Sequence, residues 1–337
     1  MLWFAIASLT PPALLALACG IGGVFPLLAV LSITVVVFFA DKLPRSLPVQ
    51  DASGRLVSLC LAAVHFPVLA FGLWALSSGT HLSLLDKILI FTGMGLFFGQ
   101  ISNSNAHELI HAQPRWLRRL GALLYISVLH GHHVSAHLRV HHVHAGTDAD
   151  PNSARLGEGF WRYCARATGG EFAAGLRAEN AHRSRAAAGL PPLSHPYLAY
   201  IGGGMGLILL CWLSLGGKAV AIYLGIAAYA QLQLLLSDYV QHYGLRRHVQ
   251  PDGKLEPMGL QHSWNAPKWY SGAMMLNAPR HSDHHMRPAK AFPSLSLDAQ
   301  TMPMLPHSLP VMAVVALIPP IWRRVMDRRV ARWQSTA

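Results

Sequence analysis

Residues 84–111 read LLDKILIFTGMGLFFGQISNSNAHELIH. Their reading decides the fold. An apolar run over 84–105 matches the roughly 20 residues that a helix needs to cross hydrocarbon. Helix continued to His111 carries His107 and His111, one turn apart on one side, just beyond the membrane. Working outward, imidazoles recur in three more clusters: His137, His141 and His142 in H-L-R-V-H-H, His242 in D-Y-V-Q-H-Y-G-L, and His281, His284 and His285 in R-H-S-D-H-H. If helical, 137–142 sets His137 and His141 on one side, with His142 turned by about 100° towards a neighbouring point.

The rest of the chain agrees with a bilayer as solvent. Of 337 residues 52% are hydrophobic and 12% charged, against about 25% charged in soluble domains. Further apolar blocks lie at 2–19, 23–40, 57–77, 198–215 and 219–237, so an all-α integral membrane protein with six transmembrane helices is expected. The first block contains Pro11 and Pro12, and no basic residue precedes Lys42, so the charged start of a signal peptide is missing. Residues 307–322 are apolar but short and proline-rich, and read as an interfacial or re-entrant segment. His65, alone in the third block, reads as a hydrogen-bonded structural residue. One domain, 1–337, is expected, with polar regions 106–197 and 238–337 on one side.

Charge supports that arrangement. Net charge is +12. Lys42, Arg45 and Arg55, ten arginines within 106–196 and twelve basic residues within 238–337 make up 25 of the 27. These regions share a side if two crossings separate each from the next, and a Lys/Arg excess marks the cytoplasmic side. A bacterial-type inner membrane, with anionic lipid attracting that surface, fits the pattern, and a nucleic-acid role does not. The four cysteines are scattered, so neither a disulfide framework nor a cysteine-ligated metal follows.

H-E-x-x-H alone suggests a zinc protease with Glu108 as base, but that leaves most other clustered histidines unexplained. Nine imidazoles exceed the six or so ligands of one metal and suit two metals with open positions. Imidazole serves iron, zinc and copper alike. A transport route is disfavoured because its ligands belong near the midplane. Glu108, Asp148, Asp150, Asp238 and Asp283 stand beside ligands and are candidates for fixing imidazole tautomers. His132 and His262 are further second-rank candidates, as are His130, His133 and His144.

With A-G-T-D-A-D-P-N-S-A-R at 145–155 and Q-H-S-W-N at 261–265, these motifs occur in the order seen in integral-membrane alkane 1-monooxygenases, the alkane hydroxylases. From about the fourth span to Arg287 the chain resembles that family. The resemblance implies a cytoplasmic-side di-iron cap. Its two non-haem irons would be held by His107, His111, His137, His141, His142, His242, His281, His284 and His285, with no catalytic residue beyond these. It further implies oxidation of the terminal methyl of a medium-chain n-alkane to a 1-alcohol with O2. Electrons would come from a separate rubredoxin-type or ferredoxin-type protein served by an NADH-dependent reductase, and substrate from membrane lipid. Two positions depart from the family pattern. Ala112 replaces a basic residue, and Ala136 stands where a glutamate is usual. The latter is similar to the xylene monooxygenase branch, so a methyl-arene is the alternative substrate. A membrane fatty-acyl desaturase or hydroxylase is the more distant alternative.

Overall fold

The computed structural model describes residues 1–185 and 191–335. It is all-helical, with no strands among the described residues and only two isolated bridges. Among the described residues, five helices are long and apolar enough to cross a membrane. They are α1 (Leu2–Ile21), α4 (Arg55–Ser78), α5 (Leu84–His111), α9 (Pro196–Leu215) and α10 (Gly217–His242). Between the first two, α2 (Phe25–Ile33) and α3 (Val35–Ala40) meet at Thr34, which leaves helical geometry with φ −115° and ψ −83°. This second apolar block spans 16 residues, roughly 24 Å of helix, short of the ~30 Å hydrocarbon. Where the sequence suggests one continuous span, the structure has two helical pieces broken at Thr34. Downstream come α6 (Arg115–Ser127), a broken helix α7 over 133–144, α8 (Phe160–Ser184), α11 (Trp269–Met274), α12 (His281–Met286), α13 (Leu309–Ala316) and α14 (Pro319–Gln334). The 307–322 region thus becomes α13, a break and the start of α14.

α5 does run unbroken from apolar core to histidine motif, as its sequence indicates. A capping box between Ser83 and Asp86 starts it. Gly95 and Gly99, four apart, let it press against α10. A Cβ at Gly95 would stand 2.0 Å from the Tyr229 ring, and one at Gly99 3.0 Å from the Ala230 carbonyl. Without a hydrophobic drive between helices in lipid, such small-residue contacts supply the packing. On the other side, a Cβ at Gly121 of α6 would meet the Ala106 carbonyl and Ile110 nitrogen at 2.9 Å. His65 joins the same helices from α4, its two ring nitrogens bonding the hydroxyls of Ser102 (2.5 Å) and Ser127 (2.6 Å). The structural role read for it is borne out. α9 and α10 are joined by Gly216 alone, at φ 82°, a conformation that favours glycine. α9 turns most of its apolar side chains outward, including Leu198, Ile201, Leu210 and Leu213, as lipid contact permits.

Candidate metal centre

The nine histidines come from four helices and fall into two adjoining groups. His107, His111, His137, His142 and His284 form one, and His141, His242, His281 and His285 the other, with donor atoms in each group within 4.8 Å of one another. Two of the helices follow ordinary α spacing in this division. His107 and His111 are four apart on α5 and enter one group together. On α12, His281 and His285 are likewise four apart and share the second group, while His284 faces the first.

The stretch 137–142 departs from expectation. Residues His137–His141 form a π turn, in which the backbone bonds i to i+5. That brings His137 and His142 onto one face, their Nε2 atoms 3.0 Å apart, and swings His141 to the other group. Ordinary α periodicity would have paired His137 with His141. A second π turn, Phe97–Ser102, precedes the histidines of α5. Nothing in residue spacing announces either turn.

The donor set fits metal ions. In the first group Nε2 separations are 2.9 Å (His107–His137), 3.1 Å (His111–His137), 3.2 Å (His111–His142) and 3.2 Å (His142–His284). In the second they are 2.9 Å (His242–His281), 3.2 Å (His242–His285) and 3.0 Å (His281–His285). Neutral imidazoles have one N–H each, so a converging set cannot satisfy all these contacts by hydrogen bonding. Neighbouring ligands at right angles, each about 2.1 Å from one ion, stand about 3.0 Å apart. Metal coordination accounts for the spacing. The His141 Nε2 is buried with no hydrogen-bond partner, as an inner donor should be.

Electrostatics prepare most of these rings as ligands. Burial, reinforced by neighbouring imidazoles, holds His137, His142, His281, His284 and His285 well below the usual histidine pKa. They are neutral at pH 7, the form that binds metal. His141 differs. Burial lowers its pKa, but Asp150, accepting from its Nδ1–H at 2.9 Å, outweighs this and brings it to about 9. Metal entering the second group must displace that proton. Metal affinity there should therefore rise about tenfold per pH unit between pH 7 and 9, one proton leaving per ion. Binding isotherms at three pH values measure the slope, and Asp150→Asn should flatten it.

Among the described residues, Asp150 is the one expected carboxylate that bonds a clustered imidazole. It also accepts from the Asn152 backbone N–H (3.1 Å) and the Ser153 hydroxyl (2.7 Å), so turn and ligand support coincide in A-D-P-N-S. Asp238 acts one step further out, accepting from the Asn152 side chain at 2.9 Å. The side chains of the other expected supports have these partners. Glu108 accepts from the Phe292 backbone at 3.3 Å. Asp148 is exposed and pairs with Arg246 and Arg155. Asp283 is buried among Arg287, Lys290 and Ser296. His262 pairs with Glu256 at 2.8 Å, and His132 packs on His130 and Phe172. For Glu108 and Asp283 the reason is local, because a helix turns successive residues through about 100° and a ligand's neighbour faces away. Asp150→Asn keeps the shape but loses the charge-assisted bond, and should lower metal affinity or turnover about 10–100-fold, read by metal analysis and product assay.

Glu171 was missed. It is buried on α8, with its Oε1 2.5 Å from His133 Nδ1, and no motif surrounds it. Nearby, Ala136 lies on α7. A Cβ at Gly175 would stand 3.0 Å from the Ala136 Cβ and 2.5 Å from the Tyr197 hydroxyl. The buried acid of this neighbourhood is Glu171, on α8.

Comparison with known proteins follows the same histidine-bearing region. A family model described as fatty acid desaturase matches residues 87–314. Alkane 1-monooxygenase 2 of Pseudomonas aeruginosa is 30% identical over 292 residues, covering 86% of this chain and 77% of the relative. The chain belongs to the alkane 1-monooxygenase family. Alkane 1-monooxygenase 1 of Alcanivorax borkumensis (29% identical, covering 84% of this chain and 70% of the relative) and the alkane 1-monooxygenase of Pseudomonas putida (28%, 83% and 69%) agree. As an alkane 1-monooxygenase family member, the protein is an integral-membrane oxidoreductase whose histidine groups are suited to metal ions. The desaturase-type match covers the same motifs and extends the kinship to a broader group.

Proposed function

We propose that the chain is a single membrane-bound di-iron domain, residues 1–337. It would hydroxylate the terminal methyl of a medium-chain n-alkane to the 1-alcohol with O2. The carrying observation is the division of nine converging imidazoles into groups of five and four, which supports one ion in each. When bound, iron supplies the oxygen activation and C–H oxidation. The chain's own part is to fix the inner Nε2 atoms, hold His141 through Asp150, and keep the approach apolar.

An apolar cavity of about 670 Å³ lies among α2, α3, α5, α10 and α13, lined by Val30, Phe38, Leu96, Tyr229 and Val311 and reaching Gln100 and Gln233. Gln100 precedes His107 by seven residues, about 10 Å along a helix. A hydrocarbon dissolved in the bilayer could enter here and present its end to the histidines. The clustering of Lys and Arg around the histidine-bearing regions supports a cytoplasmic-side centre in an inner membrane, with the broken α2–α3 pair completing six crossings. The four free cysteines are dispersed, so electrons would come from a separate rubredoxin-type or ferredoxin-type donor and its NADH-dependent reductase.

Ala136 favours a second reading, a methyl-arene substrate. Supplying octane, p-xylene and a fatty-acyl substrate with a reconstituted donor separates the readings. The expected main product is 1-octanol. Predominant methylbenzyl alcohol would shift the assignment to methyl-arenes, and desaturated acyl product without alcohol would overturn hydroxylation.

A further inference from the structure

One buried cluster outside the nine histidines has the composition of a metal site. His130, His133 and Glu171 are each at most 2% exposed, and one donor atom from each lies within 4.8 Å of the others. Their packing leaves polar atoms without partners. Both ring nitrogens of His130 and the Oε2 of Glu171 make no hydrogen bond, although His130 Nε2 and Glu171 Oε2 face each other at 3.5 Å.

Burying a carboxylate and an imidazole in this way costs free energy unless something satisfies them. A proton shared between them is the simplest remedy, but it would draw the pair to the 2.7–2.9 Å of a charge-assisted bond. Two ligands of one tetrahedral ion, each about 2.1 Å from it, stand about 3.4 Å apart. The 3.5 Å gap matches that edge. His133 Nδ1, 2.5 Å from Oε1, would retreat by about 1 Å to join the same shell. His130 and Tyr125 also line a water-sized cavity of about 10 Å³, where the Tyr125 hydroxyl lacks a partner too. One solvent molecule there would serve one His130 nitrogen and leave the other facing Glu171.

We propose that His130, His133 and Glu171 bind a third metal ion, a divalent transition ion such as zinc. Two imidazoles and one carboxylate, with room for water, are a ligand set suited to zinc or ferrous iron. The ion would tie α7 to α8 one turn before His137, whose ring stacks on His133 at 5.1 Å. It would thereby brace the π turn that sorts the nine histidines, standing apart from the two ions proposed there.

The full-length, detergent-purified protein is saturated with zinc sulfate, desalted, and its metal counted by mass spectrometry. Glu171→Gln and His130→Asn should each hold one metal ion per chain fewer than wild type. That difference is independent of how many ions the nine histidines take, so it is distinguishable from failure of the di-iron reading. Equal counts in all three proteins overturn the third site. If a variant does not fold, crystals of the zinc-soaked wild type decide. An anomalous zinc peak among the three donors upholds the site, and its absence there overturns it.

Discussion

His141→Ala should abolish hydroxylation and remove about one metal ion per chain. The second group holds four imidazoles, and His141 is the one anchored by a carboxylate, Asp150, behind it. Losing the ligand itself must cost more than the about 10–100-fold expected from loosening an outer bond. The three remaining donors, His242, His281 and His285, keep their mutual spacing, so residual binding is expected to be weak but measurable. Metal analysis of purified protein and product formation with a reconstituted donor check both halves. Unchanged turnover would take His141 out of the ligand set.

Gly121→Leu should be nearly as damaging from a position that touches no histidine. In the structure a Cβ there already meets backbone atoms of Ala106 and Ile110 at 2.9 Å. These residues bracket His107 on α5, and His111 follows directly. A leucine must push α6 from α5 or bend the segment carrying both imidazoles. Overpacking of this kind costs about 1–3 kcal/mol, and displacing two of five donors should empty the first group of metal. Thermal unfolding in detergent should show a lowered midpoint together with reduced metal content. Gly121→Ala should lie between wild type and leucine. A Gly121→Leu protein with full metal and normal melting would show that α6 does not set the position of the α5 histidines.

The sequence by itself determined the helical membrane class, because uninterrupted apolar blocks have no other low-energy state in lipid. It also determined which imidazoles assemble. Continuous helix joins 84–105 to H-E-L-I-H, and four-residue spacing in 107–111 and 281–285 carries each pair to one face. The Asp150 contact was legible for the same reason, since a tight turn nine residues on brings it back to His141. Only tertiary structure decided the division of the ligands. Two π turns replaced α geometry, at 97–102 and 137–141, and residue spacing announces neither. The same is true of Glu171, which reaches His133 across 38 residues. Local periodicity fixes which side of a helix a residue occupies, and packing fixes what that side meets.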